Sequence, residues 1–234
     1  TNIQDEAKMN FKNALRYPFQ DAGWLPKVLV GTLIMLVPIL NFVALGFLAD
    51  VVRNVSQGRE TPMPTWDDFG GLFTRGFFML LVQLLWSLPL LILACPMIGI
   101  IVLTGAASGD EPGAAFFLVL GCSMVLLIAV AIVVGPFMVA AQARYAATQQ
   151  FAAAMPGPVV GLVRANARPW IIAYLFNLAL NAVIGVLALP LAITIIGIIL
   201  LFPLAFYQVL ALAHWQGQAL RQTQGGYALP RSMV

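Results

Sequence analysis

Between Trp170 and Ala213 the chain runs for about 44 residues without one Asp, Glu, Lys, Arg or His. A bilayer crossing takes about 20 mostly apolar residues, so the run is long enough for two crossings. Pro190 near its middle predicts a tight turn between them, because proline removes a helix hydrogen bond and bends the axis. The reading is two spans, Trp170–Leu189 and Ile193–Ala213. Two further charge-free runs, Phe77–Leu103 and Ala114–Ala141, bring the clear spans to four. Composition agrees: 9% of residues are charged and 61% are hydrophobic, whereas an ordinary soluble domain carries roughly 25% charged residues. A soluble globule could not cover its surface, and a disordered chain would be poor in apolar residues. Two cysteines are too few for a disulfide-built secreted module. The class is all-α, a polytopic membrane helical bundle. Spanning strands would alternate apolar and polar residues, and runs such as Leu88-Pro-Leu-Leu-Ile-Leu-Ala do not. Prolines at 38, 89, 96, 136, 190 and 203 are expected to interrupt the helices.

Charge sets an orientation, since loops on the cytoplasmic side collect Lys and Arg. Loop 105–113 has Asp110 and Glu111 but no basic residue, and is placed outside. Loops 51–76 (Arg53, Arg59, Arg75) and 142–169 (Arg144, Arg164, Arg168) are placed inside, with the tail carrying Arg221 and Arg231. A fifth apolar stretch, Trp24–Ala49, conflicts with this pattern. If it crosses once, Lys8, Lys12, Arg16 and Lys27 end up outside. If it dips in and returns, every basic residue lies on one side. Its roughly 26 residues are too short for two full crossings at about 1.5 Å per residue. A re-entrant pair of short helices breaking near Val37-Pro-Ile-Leu-Asn41 meets both constraints, provided neighbouring helices bury the broken backbone. A single span is the alternative.

Residues 1–221 read as one transmembrane domain in three units, 1–58, 59–150 and 151–221, followed by a polar tail, 222–234. Each unit opens on a short amphipathic stretch (5–17, 66–75, 159–168) and continues into an apolar hairpin, a possible threefold pseudo-repeat. In the first opening Lys8, Lys12 and Arg16 form an i, i+4 row beside an apolar face, the layout of a helix lying among anionic headgroups. In the second, Thr65 and Asp68 resemble a capping box, and Trp66, Phe69 and Phe73 face the membrane, with Trp66 at the interface. Arg164 and Arg168 end the third. The polar, acidic start is unlike a cleavable signal peptide.

Leu15-Arg-Tyr-Pro-Phe-Gln-Asp-Ala-Gly-Trp24, Val37-Pro-Ile-Leu-Asn-Phe42, Gly46-Phe-Leu, Arg53-Asn-Val and Pro64-Thr-Trp-Asp-Asp-Phe-Gly-Gly-Leu-Phe-Thr-Arg-Gly76 carry a resemblance. The chain resembles a family of prokaryotic polytopic membrane proteins known only as a domain of unknown function. The likeness is specific over residues 15–76 and mostly hydropathic beyond. It implies a prokaryotic inner-membrane location, and no substrate, cofactor or catalytic residue comes with it.

Chemistry-bearing residues are sparse. The middles of the four spans hold no ionisable side chain, which argues against a proton relay or a membrane hydrolase. One histidine and two cysteines do not build a zinc site of the usual ligand set. Polar residues in the apolar runs are uncharged: Asn177 and Asn181 on one face with Tyr174, Gln83 with Ser87, and Asn41, Thr194 and Gln208 singly. They line a groove or bond helix to helix. Ala131-x-x-x-Gly135 and Ala143-x-x-x-Ala147 are small-residue faces for close helix packing. His214 beside Trp215 is either a haem or pigment ligand or an interfacial pair near a helix C-terminus. Cys95 and Cys122 read as packed thiols across a hairpin, and Asp67 and Asp68 as helix caps.

The expected function is a non-enzymatic scaffold or accessory subunit packing against anionic lipid and other membrane protein subunits, with no nucleic acid and no cofactor. The alternatives are a channel or carrier for a small neutral or lipid-like molecule, and a pigment-bearing subunit using His214. A carrier predicts a polar cavity lined by Asn177, Asn181, Gln83 or Asn41. A scaffold predicts those groups hydrogen-bonded.

Overall fold

Val37-Pro-Ile-Leu40 cannot continue the helix before it, because proline disfavours helical backbone at the residue preceding it, and the chain turns there. In the computed structural model, which describes residues 11–107 and 113–225, every regular element is a helix. In chain order these are α1 (Phe11–Arg16), a 3-10 turn (Tyr17–Gln20), α2 (Trp24–Leu36), α3 (Asn41–Ser56), α4 (Phe69–Ala107) and α5 (Ala114–Thr148). A second 3-10 turn (Phe151–Ala154) leads to α6 (Pro156–Ala165), α7 (Arg168–Leu191) and α8 (Ile195–Gly225). Lys8, Asp110, Glu111 and the tail beyond Gly225 lie outside the described residues.

Four helices, α4, α5, α7 and α8, are long and apolar enough to cross a membrane, with mean hydropathy of 2.4, 3.0, 2.1 and 2.4 over their most apolar stretches. α4, α5 and α7 contain the runs expected from sequence, and α8 begins two residues into the fourth, Ile193–Ala213. The chain is a multi-pass membrane protein. Prolines 89, 96, 136 and 203 lie inside continuous helices instead of interrupting them. Within an apolar layer a freed carbonyl has no water to turn to, so the helix adjusts locally and carries on. Pro190 sits in the last turn of α7, and the reversal comes at residues 192–194. There the Gly197 N–H donates to Thr194 Oγ1 at 2.9 Å, capping α8.

The first apolar stretch does not run straight through. Lys27, at the start of α2, donates to the Met63 carbonyl at 3.3 Å, and Trp66 Nε1 donates to the Lys27 carbonyl at 3.2 Å. Residues just beyond α3 therefore return to where α2 began. The two helices have 13 and 16 residues, lengths of about 20 and 24 Å at 1.5 Å per residue.

α3 is the core. Ten of its residues are buried, from Val43 to Val55, packed among α4, α5 and α8. The N-terminal part of α4 (Leu72, Met79, Val82), the last third of α5 (Val139, Ala140, Ala143, Tyr145), the start of α7 (Trp170, Ala173) and α8 from Phe206 onward (Phe206, Leu210, Ala219) join it in one core. Beyond α3 the helices have nothing to enclose. Ile92, Val102 and Leu103 of α4, Leu118 and Val125 of α5, Leu189 of α7 and Ile195 of α8 are exposed.

The second opening, 66–75, forms no helix of its own. Asp68 caps α4 directly, its Oδ1 accepting from the Gly71 N–H at 3.0 Å, so the helix starts at Phe69. That single cap replaces the expected Thr65–Asp68 box. The third opening is a separate helix, α6, with Val159 and Val163 buried and Arg164 in its last turn.

Candidate functional site

Two polar regions stand out against this apolar background. The first lies where α3 ends and α4 begins. Gln57 closes α3, and Gly58, at a φ of +73°, turns the chain away. The Gly58 N–H donates to the Val55 carbonyl and the Arg59 N–H to the Asn54 carbonyl, both at 3.0 Å. This paired closure is a Schellman cap, and it needs a left-handed residue at Gly58. Asn54 then holds the outgoing loop through a 2.9 Å bond from Nδ2 to the Pro62 carbonyl. Between that loop and α4 opens a cavity of about 360 Å³, lined by Asp50, Arg53, Asn54, Arg59, Thr61, Met63, Pro64, Thr65 and Arg75.

Arg75 is fixed from several sides. Its Nη2 lies 3.1 Å from Asp50 Oδ2 and 3.1 Å from Asp68 Oδ2, and its carbonyl accepts from Tyr145 of α5 at 3.0 Å. Burial raises the Asp50 carboxyl above its usual pKa, against the pull of Arg75 and Arg53. Asp68 is held below the usual range, first by the Gly71 N–H and then by Arg75. Arg53 makes no ion pair among the described residues, and the buried Nε atoms of Arg53 and Arg75 have no hydrogen-bond partner there.

The second region is a chain of side-chain amides joining α7 and α8. Asn181 Nδ2 donates to the Asn177 carbonyl at 2.8 Å and to Asn177 Oδ1, while its own Oδ1 accepts from Gln208 Nε2 at 2.9 Å. Asn181 is exposed, and Leu178, Val183 and Phe202 are exposed on the same two helices. These amides are turned toward one another and the outside, and none lines the cavity. Gln83 and Asn41 are half-buried and do not line it either, and Ser87 turns its hydroxyl back to the Leu84 carbonyl.

The other residues singled out in the sequence are placed as follows. His214 is buried, with Nδ1 3.0 Å from Gln218 Nε2 and its ring stacked on Tyr17 at 4.3 Å. Trp66 is turned inward, stacked on Phe47 at 4.1 Å and bonded to Lys27. Phe69 and Phe73 are exposed. Lys12, Arg16, Arg164 and Arg168 are exposed, and Lys8 lies outside the described residues. Cys95 and Cys122 are free and exposed. Tyr174 covers the small-residue face of α5, donating to the Ala131 carbonyl at 3.0 Å with its ring over Gly135. That face is used within the chain. Among the described residues no three His, Cys, Asp or Glu side chains stand together as metal ligands.

A family profile described as Protein of unknown function (DUF4013) matches residues 29–193. The chain belongs to this family. The match runs from within α2 to the turn after α7, so it takes in apolar helices where the resemblance of the sequence is only hydropathic, and it leaves out residues 15–28 and all of α8. No curated protein and no solved structure matches.

In the sequence, Arg53, Arg59 and Arg75 register as markers of orientation and not as a common site. Nothing periodic links positions 53 and 75, which meet because α3 and α4 cross. The available signal is Gly58 five residues after Arg53, a helix stop that folds the next arginine back over the helix end.

Proposed function

We propose that this protein is a non-enzymatic scaffold or accessory subunit that packs side by side with another protein in the membrane. The observation that carries the reading is the amide chain Asn177–Asn181–Gln208 between apolar helices, exposed at Asn181. Each amide has two donors and an acceptor with two lone pairs, so three bonds leave capacity unused. Hydrocarbon offers no partner, and a polar group on a facing helix does, at about 0.6–2 kcal/mol per bond. The uncovered apolar ends of α4, α5, α7 and α8 supply packing surface around it. The carrier alternative calls for amides lining a cavity, and these lie outside the one between α3 and α4. The α2–α3 pair is read as re-entrant because α3 is enclosed by other helices, the condition under which broken backbone is tolerated at membrane depth. The end bearing Arg53, Arg59, Arg75, Arg164 and Arg168 is taken to face the cytoplasm of a prokaryotic cell, with Lys12 and Arg16 beside anionic headgroups.

The test is purification in mild detergent after crosslinking in the native membrane, with mass spectrometry of what is retained. A stoichiometric protein partner is expected, and it should be lost from the double variant Asn177→Leu, Asn181→Leu while the chain stays folded. A wild-type chain that crosslinks to no protein overturns the reading.

A further inference from the structure

We propose that the cavity between the end of α3 and the start of α4 binds a phosphate group, held by Arg53, Arg59 and Arg75. Three arginines line the cavity against one acidic residue, Asp50. Counting Asp68, which reaches Arg75 from the exposed rim, two carboxylates still answer three cations. Glu60, although next in sequence to Arg59, is exposed and does not line the cavity.

The ordinary reason for arginines at a helix C-terminus is to satisfy its last carbonyls. Here those carbonyls are already taken. The Arg53 carbonyl accepts from the Gln57 N–H at 3.0 Å and from Ser56 Oγ at 2.7 Å, and those of Asn54 and Val55 accept from Arg59 and Gly58. The guanidinium donors are not used for capping. The buried Nε of Arg53 and that of Arg75 lack a partner among the described residues, and a buried donor left unmet is costly. An oxyanion entering the cavity lies among the three arginines that line it. Arginine forks match phosphate geometry in pairs of bonds, and three of them suit a group with several acceptor oxygens. The volume, about 360 Å³, falls within the roughly 300–1,000 Å³ of small-ligand sites. The phosphate belongs either to a lipid headgroup, the exposed Phe69 and Phe73 of α4 lying nearby in sequence for its chains, or to a soluble ion.

The experiment is thermal unfolding of the full chain in a phosphate-free detergent. It is titrated with dihexanoyl phosphatidylglycerol and, separately, with sodium phosphate, each against sodium chloride at equal ionic strength. A saturable rise in Tm beyond that with chloride is expected. Arg53→Gln and Arg59→Gln should each weaken the apparent affinity at least tenfold, while Arg164→Gln, outside the cavity, leaves it unchanged. A response to phosphatidylglycerol alone assigns a lipid headgroup, and a response to sodium phosphate assigns a soluble ion. Arg59 is exposed, so its variant remains informative if Arg53→Gln does not fold. The proposal is overturned if neither probe exceeds chloride, or if Arg59→Gln and Arg164→Gln behave alike.

Discussion

Gly46 of α3 and Gly76 of α4 meet where the two helices cross, so closely that a Cβ on Gly76 would sit 2.7 Å from the Gly46 nitrogen and 1.7 Å from the Phe42 carbonyl oxygen. A Cβ on Gly46 would sit 1.9 Å from the Leu72 carbonyl oxygen. The obstacles are backbone atoms, which cannot rotate away. Close approach here brings Asp50 and Arg75 within 3.1 Å and forms one wall of the arginine cavity.

Gly46→Val and Gly76→Val are therefore expected to force the helices apart and lower the Tm sharply. Overpacking typically costs about 1–3 kcal/mol, and more where backbone must move. A Cβ on Gly99 of α4 would meet nothing within 4 Å, so Gly99→Ala should be neutral or stabilising. Thermal unfolding of the three variants in one detergent checks the contrast, and equal Tm values would refute the crossing geometry.

Acid should affect the two carboxylates around Arg75 in opposite senses. Asp68, held below its ordinary range by Gly71 and Arg75, contributes stability at neutral pH. That contribution persists above the ordinary carboxylate pKa of about 4 and is lost as pH falls through the lowered value. The Tm gap between wild type and Asp68→Asn should therefore close as pH drops below about 4. Asp50, raised chiefly by burial, binds its proton more tightly folded than unfolded. Wild type should gain on Asp50→Asn as pH falls from 7 toward that raised value. The charged groups facing Asp50 are Arg53 on its own helix, Arg75 and Asp68 on α4 and its cap, and Tyr145 of α5 sits within electrostatic reach. Parallel pH–Tm curves for wild type and Asp50→Asn would contradict this account.

Trp66 fixes the loop over the cavity to α2. Trp66→Phe keeps an aromatic ring against Phe47 but removes the Nε1 bond to the Lys27 carbonyl. A loss of about 0.5–1.5 kcal/mol is expected for one such bond, and Trp66→Ala should cost several-fold more. Chemical unfolding midpoints of the two variants separate the hydrogen bond from the packing.

The doubled-back first stretch predicts a labelling pattern. In a background with Cys95 and Cys122 replaced by Ser, a cysteine at Ile193, 84% exposed in the turn between α7 and α8, should react with an impermeant thiol reagent from one side of the membrane. A cysteine at Gln57 should react only from the other. One at Ile39, at the tip between α2 and α3, should react far more slowly than either. Fast reaction at Ile39 from the Ile193 side would show that α2 and α3 both cross.

His214 is enclosed by Tyr17 and Gln218, so the purified protein is expected to be colourless. His214→Phe should preserve the stack on Tyr17 and leave the visible spectrum unchanged, and a Soret-type band lost in that variant would restore the cofactor reading.

Much of the fold is legible in the order of residues. A charge-free run has few options beyond a span, so α4, α5, α7 and α8 can be read from composition alone. Pro190 and Val37-Pro38 mark the reversals, because proline ends a helix when the chain has somewhere else to go. Asp68 is readable as a cap from its place before an apolar run. Pro89, Pro96, Pro136 and Pro203 mislead for the same physical reason inverted: inside an apolar layer, breaking the helix exposes more backbone than the proline itself does.

Sequence by itself thus determined which segments are helical and apolar, where two of them reverse, and that the basic residues cluster between spans. These follow from local backbone preference and from the cost of placing charge in hydrocarbon. Tertiary structure alone decided that the short α3 is the core, that Trp66 points inward, that Asn181 links α7 to α8, and that Arg53, Arg59 and Arg75 share one cavity. Those relationships depend on which helix faces cross and how closely. Here that is set by the absence of two side chains at Gly46 and Gly76, contacts between residues too far apart in the chain for any periodicity to join them.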